Sequence, residues 1–167
     1  LMTVRISRNL GIDKVANFSK KMKIYQNPEE LLSISLGSTE TTLLKLTSAY
    51  CTFVNGGKLV EPIIIDRIQD GEGNTIINNE NRKCVNCDEI SFTGKEFPSI
   101  KDNYSRVLSA ETAYQITSFL KGVVERGTGK KLNKLGLNLA GKTGTTNENT
   151  DAWFIGFTSN LVIGVYV

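Results

Sequence analysis

The residues of this sequence that are best suited to chemistry lie in one short segment, GLNLAGKTGTT at residues 136–146. Read from Gly136, the segment matches the phosphate-loop pattern G-x-x-x-x-G-K-[ST], in which a lysine and backbone N–H groups bind nucleotide phosphates. Read from Lys142, it is a Lys-Thr-Gly-Thr sequence that offers an ammonium and two hydroxyl groups to a carboxylate. The two interpretations require different structures around Lys142, so the flanking residues distinguish them.

The flanking residues do not favour a phosphate loop. Such a loop requires a buried strand before it and a helix that begins at its lysine. The residues before Gly136, RGTGKKLNKL, read as a helix end followed by a basic turn, and GTTNENT after Lys142 is rich in turn-forming residues. Leu137 and Leu139 alternate as in a strand. We therefore expect an extended Lys142 and keep nucleotide binding as a third alternative.

An extended strand at residues 142–145 could bind a peptide if it lay at the edge of a sheet. Its free backbone groups would then pair with an extended ligand, and Gly144 would allow close approach because it has no Cβ. The Lys142 ammonium and the hydroxyls of Thr143 and Thr145 would bind a terminal carboxylate. The Thr145 N–H would stabilise oxyanion charge. We thus expect residues 142–145 to bind substrate, and Lys142 and Thr145 to take part in catalysis.

Composition argues against several other functions. The 167 residues include no histidine, which excludes a Ser-His-Asp triad and imidazole metal sites within this sequence. The net charge is +3 and the basic residues are spread along the chain, so nucleic-acid binding has no support. We expect neither a metal ion nor an organic cofactor. No apolar run approaches the roughly 20 residues of a membrane helix, so any targeting or anchoring segment is expected outside this sequence.

The three cysteines differ in their surroundings. Cys51 lies in an apolar segment, which indicates core packing. Cys84 and Cys87 form a C-x-x-C pair in a polar segment. Without histidine or a second cysteine pair they do not make a zinc site, so a loose loop or, in an oxidising compartment, a local disulfide is expected. Neither alternative assigns the pair a function.

Hydrophobic periodicity predicts helices in the first part of the chain and a hairpin after them. Helices are expected over residues 1–10, from Asp13 to Met22, and within residues 38–57, where hydroxyl residues can cap the start and glycines follow the end. The change to β-branched residues on either side of DGEGN predicts a hairpin in residues 61–77. From residue 78 to about residue 103 the composition turns polar, which indicates an exposed or poorly ordered segment.

The last part of the chain combines a long helix with strands. Ser109 is expected to cap an amphipathic helix that ends at Gly127. Three adjacent antiparallel strands are expected after it: one around Lys142, then AWFIGFT and LVIGVYV, with a short turn at Ser159 and Asn160 between the last two.

The segment RGTGKKLNKLGLNLAGKTGTTNENTDAWFIGF, residues 126–157, closely resembles the region around the Lys-Thr-Gly strand of class A penicillin-binding proteins. Residues 36–76, from LGSTETTLLKL to DGEGNTI, resemble the segment between that family's second and third motifs. The resemblance implies an α+β fold of the β-lactamase/transpeptidase type, with an antiparallel sheet packed against helices. Residues 1–167 would then form the C-terminal part of a transpeptidase domain that carries the polar segment at 78–103.

The resemblance also implies an activity, which is the cross-linking of peptidoglycan. In this family a serine attacks the D-Ala-D-Ala end of a stem peptide, an amine of a neighbouring strand resolves the acyl-enzyme, and β-lactams acylate the same serine. Of the family's three motifs, Ser-x-x-Lys, Ser-x-Asn and Lys-Thr-Gly, only the third is assigned here, at residues 142–144. The nucleophilic serine is therefore expected upstream of this sequence, and the isolated fragment is expected to be inactive.

The implied partners are the stem peptide, β-lactams and the remainder of the same protein, including a glycosyltransferase domain. The implied location is the extracytoplasmic face of the bacterial inner membrane, with a membrane anchor in a missing N-terminal segment. A serine β-lactamase, a β-lactam sensor or a non-catalytic module of the same fold are the alternatives.

Two short patterns match the family's other motifs. Ser118-Phe119-Leu120-Lys121 fits Ser-x-x-Lys, but Ser118 is about 200° around its predicted helix from Leu120, the centre of the apolar stripe. Ser7-Arg8-Asn9 fits Ser-x-Asn, but residues two apart on a helix do not face one another. Both patterns are expected at surface positions without a catalytic role.

Overall fold

The computed structural model describes residues 2–80, 82–85, 87, 99–145 and 151–167. These residues divide into two compact units, Leu1–Val60 with Arg106–Val167 and Glu61–Ser105. The described helices and antiparallel sheets make an α+β fold, as the resemblance implies.

The first unit contains the α-helices and the largest sheet. Its helices are α1 (Met2–Leu10), α2 (Ile12–Lys21), α3 (Leu43–Val54) and α4 (Ala110–Arg126), with 3₁₀ helices at Leu32–Leu36 and Lys130–Leu135. Helix α3 begins where the Thr42 side chain accepts the Lys45 N–H, and α4 begins where Ser109 accepts the Thr112 N–H. The predicted hydroxyl caps are thus confirmed, because these side chains satisfy N–H groups that lack partners inside the helix.

The described residues of the second unit include two short strand pairs. Strands β1 (Arg67–Gln69) and β2 (Thr75–Asn78) form the predicted antiparallel hairpin, and β3 (Lys83–Val85) pairs with β4 (Ser99–Lys101). In the β1–β2 turn the Asp70 carboxylate accepts hydrogen bonds from the backbone and side-chain N–H groups of Asn74 and from the backbone N–H of Glu72. These hydrogen bonds favour the charged carboxylate and lower the Asp70 pKa.

The polar segment predicted at 78–103 falls entirely in this unit. Among the described residues of Glu61–Ser105 none is buried. The part of the prediction that concerns residues 81, 86 and 88–98 lies outside the described residues.

The remaining strands form one antiparallel sheet in the first unit, as predicted. They are β5 (Ala140–Thr145), β6 (Ala152–Phe157) and β7 (Val162–Tyr166), in the order β5-β6-β7. Thr158 N–H donates to the Leu161 carbonyl at 2.9 Å, which places Ser159 and Asn160 at the centre of the predicted turn.

Helix α3 packs closely on this sheet. The Tyr50 and Phe157 rings meet edge to face with their centroids 6.3 Å apart. A Cβ added to Gly164 would lie 2.1 Å from Thr47 Oγ1, so only glycine permits this approach of helix and strand. Ala49 on α3, Val124 on α4 and Ile155 and Phe157 on β6 are among the residues that form the core.

The prediction that Ser7 lies at the surface is wrong. Ser7 is only 7% exposed, whereas the apolar residues Met2, Ile6 and Leu10 of the same helix are 67%, 53% and 55% exposed. Helix α1 packs against α2 and the 3₁₀ helix Leu32–Leu36. The small Ser7 side chain of α1 is buried. The error has a physical cause: the buried face was located from large apolar residues alone, but a small side chain also allows close packing.

A backbone crossing joins the two chain segments of the first unit. The Gly57 carbonyl accepts the N–H groups of Val107 at 2.9 Å and Leu108 at 3.0 Å. Lys58 and Arg106 form an antiparallel bridge, and the Arg106 guanidinium donates to the Gly56 carbonyl at 2.6 Å. Gly57 has φ +90°, and a Cβ there would lie 2.3 Å from the Leu108 carbonyl oxygen. The crossing therefore depends on a glycine.

Candidate functional site

Strand β5 carries the four residues predicted to bind substrate, consecutively and at the edge of the sheet. The register with β6 places Lys142 opposite Ile155, Thr143 opposite Phe154, Gly144 opposite Trp153 and Thr145 opposite Ala152. Because β5 is the outermost strand in the order β5-β6-β7, its other side pairs with no strand among the described residues. An extended ligand could add to that side.

The hydrogen bonds of β6 determine which β5 groups point to this open edge. Ala152 exchanges N–H and C=O hydrogen bonds with Val167, at 2.8 and 2.9 Å, so its backbone groups point toward β7. Backbone N–H and C=O groups of successive residues in a strand point to opposite sides, so the groups of Trp153 and Ile155 point toward β5. Their partners Gly144 and Lys142 are the β5 residues that pair inward. The N–H and C=O groups of Thr143 and Thr145 consequently point away from β6, to the open edge.

The Lys142 side chain lies along the same edge. It is exposed, and its Nζ donates to the Thr143 carbonyl at 2.5 Å. The ammonium is therefore close to the outward backbone groups of β5. Positive charge and two outward N–H groups together favour an anionic ligand.

The two glycines of β5 differ in what they permit. A Cβ at Gly141 would lie 2.8 Å from both the Ile155 carbonyl oxygen and Phe154 Cζ, so internal packing requires this glycine. A Cβ at Gly144 would meet only Trp153 Cβ, at an ordinary 3.4 Å. Packing of the described residues therefore leaves room for a methyl group at Gly144. Internal packing does not require this glycine, and the absence of a Cβ would let a ligand approach the strand closely.

Thr128 is a residue at this site that the sequence interpretation missed. It follows Gly127, the residue that ends α4, and its Oγ1 lies 2.9 Å from Thr143 Oγ1. The turn after the helix thus orients one of the hydroxyls on the edge strand. The only sequence signal was that Thr128 lies within residues 126–157, the segment that carries the family resemblance.

The Ser118-Phe119-Leu120-Lys121 pattern does not form a Ser–Lys pair. Ser118 is exposed on α4, as predicted, and Lys121 pairs instead with Glu125, with Nζ 3.6 Å from Oε1. The phosphate-loop interpretation is also contradicted. Lys142 lies in the middle of β5 and not at the start of a helix, so it lacks the helical N–H groups that would bind phosphate.

Within the described ranges, no group of three or more histidine, cysteine, aspartate or glutamate side chains is placed to hold a metal ion. Among the same residues, no helix has the length and apolar character needed to cross a membrane.

The fold agrees with the comparison with known families. The family described as the penicillin binding protein transpeptidase domain matches residues 2–167, and the chain belongs to this family. Penicillin-binding protein 1A of Rickettsia prowazekii is 43% identical over 171 residues and covers the whole chain. Penicillin-binding protein 1A of Neisseria lactamica is 33% identical, also over the whole chain. These relatives identify the chain as a transpeptidase region of the class A type.

Solved structures support the same assignment. The crystal structure of penicillin-binding protein 1A from Haemophilus influenzae matches 99% of this chain with a TM-score of 0.79 and 31% identity. The D,D-transpeptidase domain of a peptidoglycan glycosyltransferase from Eggerthella lenta matches with a TM-score of 0.69 at 18% identity, which supports the fold alone. The chain spans 22% of the Rickettsia prowazekii protein and 28% of the Haemophilus influenzae chain.

Proposed function

We propose that β5 is the substrate-binding edge of a serine-type D,D-transpeptidase that cross-links peptidoglycan stem peptides. One observation carries the proposal: the strand register points the backbone groups of Thr143 and Thr145 to an open edge beside the Lys142 ammonium. An extended peptide that ends in a carboxylate matches this edge, because its backbone can pair with the strand while its carboxylate binds the cation.

The proposed residue roles follow from the positions of these groups. The Lys142 ammonium and the hydroxyls of Thr143 and Thr145 bind the terminal carboxylate of the D-Ala-D-Ala end. A serine outside these 167 residues attacks the carbonyl carbon of the peptide bond between the two D-Ala residues. The Thr145 N–H then stabilises the negative charge on that carbonyl oxygen. Terminal D-Ala leaves with a proton, and an amine of a second stem peptide displaces the serine from the acyl-enzyme.

The same chemistry accounts for the proposed inhibitors and partners. A β-lactam carries a carboxylate near its strained amide, so it would bind the same edge and acylate the same serine. The remainder of the protein, including a glycosyltransferase domain and a membrane anchor, would hold this domain at the extracytoplasmic face of the bacterial cell envelope.

Covalent labelling with a fluorescent penicillin tests this function directly. The full-length protein is expected to gain one adduct, and peptide mass spectrometry is expected to locate it on a serine outside residues 1–167. The isolated 167-residue chain is expected to gain none, because it lacks the nucleophile. The Ser118→Ala variant of the full-length protein serves as the matched control and should be labelled at the wild-type rate.

Three results would contradict the proposal in different ways. An adduct on Ser118 would mean that the nucleophile lies within this chain. A folded full-length protein that is never labelled would indicate a non-catalytic module. Slow hydrolysis of the penicilloyl adduct is expected of a transpeptidase, whereas rapid hydrolysis with turnover would indicate a β-lactamase.

The Thr128–Thr143 contact yields a further prediction. Replacing Thr128 with valine should slow penicillin acylation of the full-length protein by about fivefold to tenfold, the equivalent of about 1 kcal/mol for a lost hydrogen bond. Thr128→Ser keeps the hydroxyl and should restore most of the rate. A loss in Thr128→Ser with none in Thr128→Val, which keeps the methyl group, would instead show that the methyl group, and not the hydroxyl contact, is what matters.

A further inference from the structure

We propose that the Cys84–Cys87 disulfide is a thiol–disulfide exchange site, which reacts with an external dithiol such as the active site of a thioredoxin-fold oxidoreductase. The two cysteines are joined by a disulfide with their Cα atoms 5.7 Å apart, and both residues are exposed. Exchange requires a thiolate to reach a disulfide sulfur. Exposure of both half-cystines meets that requirement.

This disulfide contributes little to holding the second unit together. A structural disulfide in a small unit without a core usually joins segments that are distant in the sequence. Cys84 and Cys87 are separated by only three positions, so their bond joins neither β3 to β4 nor either strand to the β1–β2 hairpin. Strand β3 is held to β4 by antiparallel backbone pairing, in which Cys84 lies opposite Ile100. Opening the disulfide therefore leaves the links between the strands in place.

The third cysteine of the chain is an internal reference for reactivity. Cys51 on α3 is a free thiol, only partly exposed, and burial raises its pKa. A thiol reacts slowly when a smaller fraction of it is ionised to thiolate and when reagents reach it less easily. The chain therefore contains one exposed redox pair and one protected thiol, which a single experiment can compare.

The proposed reaction balances as two successive exchanges. A thiolate of the dithiol attacks one sulfur of the Cys84–Cys87 bond, which breaks that bond and forms a mixed disulfide. The other cysteine leaves as a thiolate and takes up a proton. The second thiol of the reagent, after losing its proton, displaces the remaining cysteine, and the reagent becomes a disulfide. The chain has gained two electrons and two protons, and the same couple running in reverse restores the bond.

The test uses the full-length protein purified without reductant. The protein is treated with dithiothreitol under native conditions, quenched at intervals with N-ethylmaleimide and analysed by peptide mass spectrometry. Cys84 and Cys87 are expected to become modified together, to an extent that grows with the time in dithiothreitol, whereas the modification of Cys51, which is already a free thiol, should not depend on that time. Unfolding in guanidinium before the quench should make all three cysteines react alike, which serves as the control. Oxidised glutathione should restore the disulfide.

A trapping experiment identifies the class of reagent. A thioredoxin-fold protein whose second active-site cysteine is replaced by serine should form a mixed disulfide with the wild-type protein, and none with C84S/C87S. The proposal is overturned if the disulfide is reduced only after unfolding, or if no mixed disulfide forms with the wild type. It is also overturned if Cys84 and Cys87 remain free thiols in oxidised glutathione. None of these readouts depends on penicillin labelling, so the outcome is separable from that of the proposed transpeptidase function.

Discussion

Lys142→Ala is expected to reduce the second-order rate of penicillin acylation of the full-length protein by about 100-fold. The loss is equivalent to about 2.7 kcal/mol, within the range for removing a charged partner of a hydrogen-bonded carboxylate. The ammonium lies along the open edge of β5, within 2.5 Å of the Thr143 carbonyl. No other lysine of the chain belongs to this strand. The measurement is the rate of adduct formation at several penicillin concentrations.

The substitution should impair binding of the carboxylate without disturbing the fold, because the Lys142 side chain is exposed. Lys142→Arg keeps the positive charge but presents it in a planar geometry, so we expect an intermediate loss of about tenfold. Lys131→Ala, on the exposed 3₁₀ helix before β5, is the matched control and should stay within about twofold of the wild type. If Lys142→Ala and Lys131→Ala have the same rate, Lys142 does not bind the carboxylate.

Gly57→Ala is expected to destabilise the backbone crossing of the first unit by about 3 kcal/mol. A residue with a side chain is strained at φ +90°, and its Cβ would lie 2.3 Å from the Leu108 carbonyl oxygen. The chain must move there, which weakens the two hydrogen bonds that the Gly57 carbonyl accepts. Hydrogen exchange of the full-length protein, followed on peptides that contain Val107 and Leu108, should speed up by about 100-fold at those amides.

Gly56→Ala provides the matched control for this prediction. Gly56 also has a positive φ, +61°, but a Cβ there would meet no described atom within 4 Å. The expected cost is therefore the backbone strain alone, about 1 kcal/mol, with exchange only about fivefold faster. Equal effects of the two substitutions would mean that the contact with Leu108 relaxes at little cost and that the glycine is not required by packing.

Local sequence signals were sufficient to predict the ends of the helices and the three-stranded sheet. Hydroxyl residues such as Ser109 mark a helix start through a contact that spans only three residues. The alternation of AWFIGFT and LVIGVYV and the turn at Ser159 and Asn160 predicted the order of the last two strands. These features depend on neighbours in the sequence, and for that reason a single sequence determines them.

Features that depend on contacts between distant segments could not be predicted from the sequence alone. The positions of Lys142 and Thr145 on an extended strand were predicted, but the outward direction of the Thr143 and Thr145 backbone groups follows from the pairing of β6 with β7. Thr128 was missed because its partner is fifteen positions away. Ser7 was misplaced because packing of α1, and not its apolar spacing, decides which of its residues are covered.

The crossing at Gly57 also bears on how this chain can vary. Lys58 and Arg106 are bridged, so the segment between them leaves the first unit and returns to it at neighbouring points. Closing a longer loop between fixed ends costs only about 0.6 kcal/mol for each doubling of its length. Insertions and deletions within Glu61–Ser105 should consequently accumulate among related sequences while the spacing from Arg106 to β5 stays constant. The same property makes this segment the natural place to graft a tag or a reporter domain.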